Sequence, residues 1–126
     1  MANELILIVE DHEKNRKLVR DVLQVKGYET LEAGTAEEGL KIARERKPDL
    51  ILMDIQLPGM SGVQALKVLR AEPATAAIPV VAITASVMQQ DRQHIMSAGF
   101  NGFIEKPVNL RNFFDTVHKT LKSGAA

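Results

Sequence analysis

Residues 51–62, ILMDIQLPGMSG, run from three apolar side chains to the carboxylate of Asp54 and then into a loop marked by proline and glycine. An apolar run of strand length that ends on a charge is the pattern of a buried parallel strand whose last residue emerges at the edge of the sheet. In an open parallel sheet, ligands bind at the carboxyl ends of the strands. The stretch therefore predicts a strand that acts as a rigid post for Asp54, and the reading turns on what else reaches the same edge.

Working outward, apolar runs of similar length recur as LILIV (5–9), YETL (28–31), LILM (50–53), IPVVAIT (78–84) and GFIE (102–105). The stretches between them are long enough for helices, an alternation that builds a parallel sheet covered on both faces. The first, third and fourth runs are nearly continuous in hydrophobicity, as central strands should be, whereas the second alternates like an edge strand. Thr35 and Glu38 have capping-box spacing at the start of a helix that places Leu40 and Ala43 on one side and ends before Pro48. Leu110, Phe113, Phe114, Val117 and Leu121 form one stripe at the helical period, which is read as core packing. The segment 70–79 is the one connection expected to have room to wander.

The 126 residues are 45% hydrophobic, enough for one compact domain with its own core. There is no cysteine, so a disulfide framework and thiolate metal sites are excluded. Sixteen basic residues balance sixteen acidic ones, leaving no net field to attract nucleic acid. Four Phe, one Tyr and no Trp make poor stacking platforms for single strands. The N-terminal apolar run is too short for a signal peptide or a membrane span, so the expected location is cytoplasmic, with no membrane contact.

If the runs are strands, Glu10 and Asp11 leave the sheet after the first, Asp54 after the third, Thr84 after the fourth and Lys106 after the fifth. Clustered acids repel one another and raise each other's pKa unless something positive lies among them. An all-oxygen set of two or three carboxylates suits Mg2+, which keeps several waters and accepts a phosphate oxygen. No His or Cys is expected in the cluster, which disfavours transition metals. His12 directly follows Asp11 and could face the site, but a solvated histidine at a helix start is the expectation, with His94 and His118 exposed.

Together LIVED with Asp11, LILMDIQLPGMSG with Asp54, VVAITA with Thr84 and GFIEKPV with Lys106 resemble, in order and over essentially the whole chain, the receiver domain of two-component response regulators. GYETLEA and KPDLILMDIQLP are similar to the stand-alone regulators of the DivK kind. The resemblance implies a single three-layer, doubly wound α/β domain of the flavodoxin-like class. Its five-stranded parallel sheet would have strand order 2-1-3-4-5 and five flanking helices. Residues 1–122 would form the receiver domain and 123–126 a flexible tail, with no effector domain.

By the same resemblance, Asp54 would accept a phosphoryl group from a histidine kinase or histidine phosphotransfer protein. Asp11, Asp54 and the carbonyl of Gln56 would bind Mg2+, with Glu10 holding a metal-bound water in place of the more usual Asp. Lys106 would pair with the phosphate, Thr84 would hydrogen-bond to it, and Pro107 would follow a cis bond that aims the lysine. Phe103 stands where Tyr is more usual, so the switch would couple through packing. Gln56 and Ser86 are neutral and small enough to admit water, implying self-hydrolysis on the order of minutes to hours. A downstream target protein would read the helix after Thr84 and the last helix. Of the apolar Val87, Met88, Ile95 and Met96, most are expected in the core and some presented to that partner. The chain is expected to be a monomer, with a weak dimer as the alternative.

Four alternatives share parts of this pattern. A haloacid-dehalogenase-type phosphatase needs a second aspartate two residues after the nucleophile, where this chain has Gln56. A flavodoxin needs a hydroxyl- and glycine-rich phosphate loop after the first strand, where VEDHEKNRKL offers acids. A receiver-fold scaffold that is never phosphorylated, and a relay that passes phosphate between histidines, retain every site residue.

Overall fold

The computed structural model describes residues 4–84, 93, 95–105 and 110–124. In chain order its elements are β1 (Leu5–Val9), α1 (Glu13–Val25), β2 (Glu29–Ala33), α2 (Ala36–Arg46), β3 (Leu50–Asp54), α3 (Gly62–Ala71) and β4 (Val80–Thr84). A fourth helix, α4, has described residues 93 and 95–97. It is followed by β5 (Gly102–Glu105) and α5 (Leu110–Gly124). All strand pairs are parallel, in the order β2-β1-β3-β4-β5. This is the sheet that the resemblance implied, with the alternating YETL run on an outer strand.

Side-chain parity in the strands divides the core in two, because successive residues face opposite sides of a sheet. Leu7, Val9, Ile51, Met53, Val80 and Ala82 face Leu40 and Ala43 of α2, Leu66 and Leu69 of α3 and Ile95 of α4. Ile6, Ile8, Leu50, Leu52, Val81 and Ile83 face Val19 and Leu23 of α1 and Phe113, Val117 and Leu121 of α5. The sheet is thus covered on both sides, which is why β1, β3 and β4 carry almost no polar residue before their last positions. At Gly39, α2 comes so close to β1 that an added Cβ would lie 2.8 Å from Val9 Cγ2.

Three local differences from the sequence reading have physical causes. β2 begins at Glu29 and runs to Ala33, because the Tyr28 N–H still donates to Leu23 O in the turn that closes α1. α5 continues through Gly124, two residues into the segment read as a tail. The segment 70–79 is held in place. Arg70 Nη1 donates to Ala76 O at 3.1 Å and to Ile78 O at 2.6 Å, and Nη2 donates to Asn101 Oδ1 at 2.8 Å. Thr75 is buried and its hydroxyl donates to Leu69 O at 2.8 Å. Burial lowers the Arg70 guanidinium pKa below its ordinary value, so the carbonyls around it compensate a partly desolvated charge.

Thr35 caps α2 as its spacing predicts, with Oγ1 accepting from the Glu38 N–H at 3.1 Å. At the other end Lys47 adopts φ 46° and ψ 65° ahead of Pro48, the left-handed geometry that glycine adopts at helix ends without steric cost. A side chain there costs about 1–2 kcal/mol. Lys47→Gly, which also loosens the unfolded chain, is expected to stabilise the domain by a net ~0.5–1 kcal/mol. A raised urea midpoint with an unchanged denaturant slope is the readout.

Candidate functional site

The register of β1 against β3 creates the site. Ile8 pairs with Leu52 and Val9 with Met53, so one step further Glu10 arrives opposite Asp54, on the face that already carries Ile8 and Leu52. The carboxylate of Asp49 fixes the start of this pairing by accepting the Leu5 N–H at 2.8 Å, while the Asp49 N–H donates to Leu5 O at 2.7 Å. Both ladders continue past the strands, with Glu10 N–H donating to Ala33 O and Ile55 N–H to Ile83 O. Glu10 and Asp54 are consequently only 2% and 3% exposed, adjacent acids on a rigid edge.

Asp11 and His12 complete the group. One potential ligand atom from each of Glu10, Asp11, His12 and Asp54 falls within 4.8 Å of the others. Asp54 Oδ1 accepts the Gln56 N–H at 2.9 Å, a local turn bond that orients the carboxylate. Asp11 Oδ1 is shielded from solvent and receives no hydrogen bond from any described residue. A buried carboxylate oxygen in that condition is costly unless a cation completes it. Mg2+ takes oxygen donors, carboxylates among them, and keeps several waters, which is the chemistry of the three carboxylates gathered here. The acidic trio therefore fits such an ion.

His12 corrects the expectation that no histidine joins the acids. Its ring is 67% exposed, as a solvated helix-start residue should be, yet Nδ1 lies 3.2 Å from Glu10 Oε1 and 3.4 Å from Asp11 Oδ1. As the N-cap of α1 it has extended backbone geometry and makes no side-chain cap, which leaves the ring available to turn back over the acids. An imidazole does join the cluster. His118 is exposed as expected, whereas His94 lies outside the described residues.

Two supporting residues carry no motif of their own. Arg16 donates Nη1 to Glu10 O at 2.9 Å and Nε to Glu32 Oε1 at 3.2 Å, which ties the loop bearing Glu10 and Asp11 to β2. Arg20 Nη1 holds the other oxygen of Glu32 at 3.1 Å, and this hydrogen bond raises the Arg20 pKa. Gly62 begins α3 so close to β3 that a Cβ would meet Asp54 O at 2.6 Å and Ile55 Cα at 2.8 Å. Gly62 N–H donates to Ile55 O, and Ser61 and Gln64 form a reciprocal capping box that starts the helix there. The S-x-x-Q spacing announces the box, but nothing in the sequence announces the close approach.

Among the remaining expected residues, Thr84 is buried at the end of β4, opposite Glu105. Phe103 is half-buried opposite Ala82, packed on the α2–α3 side of the sheet. Ile95 is in the core and Met96 is exposed. Lys106, Pro107, Ser86, Val87 and Met88 lie outside the described residues. No helix among the described residues is long and apolar enough to cross a membrane.

Comparison with known proteins settles the family. The profile of the response regulator receiver domain matches residues 6–118. This chain belongs to the response regulator receiver family. The polar-differentiation response regulator DivK of Brucella anthropi is 43% identical over 116 residues, covering 92% of this chain and 94% of that one. Among solved structures, chemotaxis protein CheY4 of Vibrio cholerae is similar with a TM-score of 0.88 and 27% identity, over 94% of this chain and 99% of that one. The receiver domain of sensor histidine kinase PA1611 from Pseudomonas aeruginosa has a TM-score of 0.88 and 28% identity, over 96% and 99% of the two chains. That structure holds a magnesium ion in its active-site cleft.

The contact at Gly62 makes a direct prediction for this receiver domain. Gly62→Ala forces β3 and α3 apart at Asp54 and is expected to cost about 1–3 kcal/mol. Gly34→Ala, whose Cβ would meet nothing closer than Arg16 Nη1 at 3.5 Å, is expected to change stability by no more than about 0.5 kcal/mol. Urea denaturation of the two variants beside the wild type is the measurement.

Proposed function

We propose that this receiver domain accepts a phosphoryl group on Asp54 in a Mg2+-dependent reaction and signals by a change of shape that a partner protein reads. The supporting observation is the convergence of Glu10, Asp11 and Asp54 at the carboxyl edge, with the buried Asp11 Oδ1 lacking a hydrogen bond from any described residue. A carboxylate is a competent covalent phosphoryl acceptor. Phosphoryl transfer needs positioning and positive charge more than covalent help from the protein.

In the proposed step a carboxylate oxygen of Asp54 forms a bond to phosphorus as the phosphorus–nitrogen bond of a phosphohistidine breaks. The electron pair returns to the donor imidazole, which takes up a proton. Asp11, Asp54 and the Gln56 carbonyl hold the ion in this reading, and Glu10 orients one of its waters. When bound, the ion supplies positive charge against the phosphoryl oxygens. The Gln56 N–H fixes the attacking carboxylate, and β3, buried along its length, prevents it from retreating. Lys106 is assigned to pair with the phosphate in this reading.

The donor is a histidine kinase or histidine phosphotransfer protein, and the receiver is a signalling acceptor without a turnover substrate. Phosphorylation adds negative charge and strong acceptors at Asp54, and in this reading the Thr84 hydroxyl donates a hydrogen bond to the phosphate as the switch. Phe103 has no hydroxyl, so its part in that switch is packing against the α2–α3 side of the core. The modified and unmodified shapes form a biased equilibrium that a downstream target protein shifts further by preferring one of them.

Incubation with acetyl phosphate and Mg2+ followed by intact-mass spectrometry tests the reading. One phosphoryl adduct is expected on the wild type, with none on Asp54→Asn and none when the metal is chelated. Absence of any adduct with acetyl phosphate and with a phosphohistidine donor would instead assign the chain as an unphosphorylated scaffold.

A further inference from the structure

We infer that His12 turns the acidic site into a mixed oxygen and nitrogen site that binds late first-row divalent ions, of the Co2+ and Ni2+ class, more tightly than Mg2+. The inference rests on the reading that Asp11 and Asp54 hold a divalent ion beside Glu10, and adds a ligand to it. The imidazole nitrogen belongs to the same 4.8 Å group as the three carboxylates, and Nδ1 already lies 3.2 Å from Glu10 Oε1 and 3.4 Å from Asp11 Oδ1.

Ligand chemistry separates the two classes of ion. Mg2+ takes oxygen donors and water and gains little from a nitrogen. Imidazole suits later first-row ions, whose affinity for a given donor set rises from Mn2+ through Co2+ to Ni2+. Three carboxylates supply the charge that any divalent ion needs, and the ring supplies the preference.

The surroundings permit the ligation without disturbing the core. His12 is 67% exposed, so its ring turns between rotamers without opening a cavity or losing a cap, since it makes no side-chain cap on α1. The loop that carries it is fixed on one side by Arg16 on Glu10 O and on the other by the Glu10 N–H on Ala33 O. The ring therefore moves while the carboxylates stay in register. The practical consequence is that the ion carried by this receiver depends on which divalent ions surround it. The residue that sets this dependence lies beside the metal-binding acids.

Isothermal titration of the full chain with MgCl2 and with CoCl2, above the ordinary histidine pKa, tests the inference on wild type, His12→Ala and Asp11→Asn. The wild type is expected to bind Co2+ at least about tenfold more tightly than Mg2+. His12→Ala should lose about tenfold or more of the Co2+ affinity, while its Mg2+ affinity stays within about twofold. The visible absorption of the Co2+ complex should change in the same variant, because a nitrogen ligand is lost. Asp11→Asn should weaken both ions, which places the Co2+ at this site and not at His94 or His118. An unchanged Co2+ affinity in His12→Ala, or an equal loss for both ions, overturns the role of His12. Failure of the wild type to bind either ion overturns the underlying metal reading together with it.

Discussion

The parallel register between β1 and β3 sets two carboxylates side by side where the sheet ends. Like charges on neighbouring strands repel, and burial strengthens the repulsion by removing the water that would screen it. The fold maintains this arrangement because the six or more apolar residues beneath it are locked into two separate cores. A one-residue slip of either strand would turn every one of those side chains to the wrong face. The Asp49 carboxylate on Leu5 N–H guards against that slip at the opposite end. Packing energy along the strands thus holds two neighbouring carboxylates in place at their ends. Such a pair persists where a cation or a transferred group makes use of it.

The sequence made the sheet legible because a doubly covered parallel strand has an unmistakable pattern. LILIV, LILM and VVAIT admit almost no polar residue, and each leads to or ends on a polar residue at the carboxyl edge, Glu10, Asp54 and Thr84. Asp54, Asp11, Glu10 and Thr84 were therefore readable from position alone, and the family comparison adds their common context. The edge strand was placed less well because Tyr28 is apolar but belongs to the turn after α1. No periodicity reports which partner a backbone N–H has chosen.

What escaped the sequence were contacts between distant segments. The 70–79 stretch is rich in alanine and proline and reads as loose, yet Arg70 gathers two of its carbonyls and Asn101, thirty-one positions away. Gly62 reads as one more loop glycine until α3 is laid against Asp54 O. His12 was weighed as either solvated or part of the site, and the structure makes it both. Its ring is mostly in water while one nitrogen hangs over the acids. Each of these required knowing a distance, and sequence spacing supplies distances only within a single element.

The Arg70 to Asn101 linkage lies at the amino ends of β4 and β5, where Asn101 also donates its backbone N–H to Val80 O and accepts the Val80 N–H on its side chain. Thr84 and Glu105 lie at the opposite ends of the same two strands. A side-chain clasp therefore ties β4 and β5 at their amino ends, in addition to the ladder that runs along both. The clasp gives the sheet a cross-brace on the side away from the acids, joining the end of α3 to two strands at once.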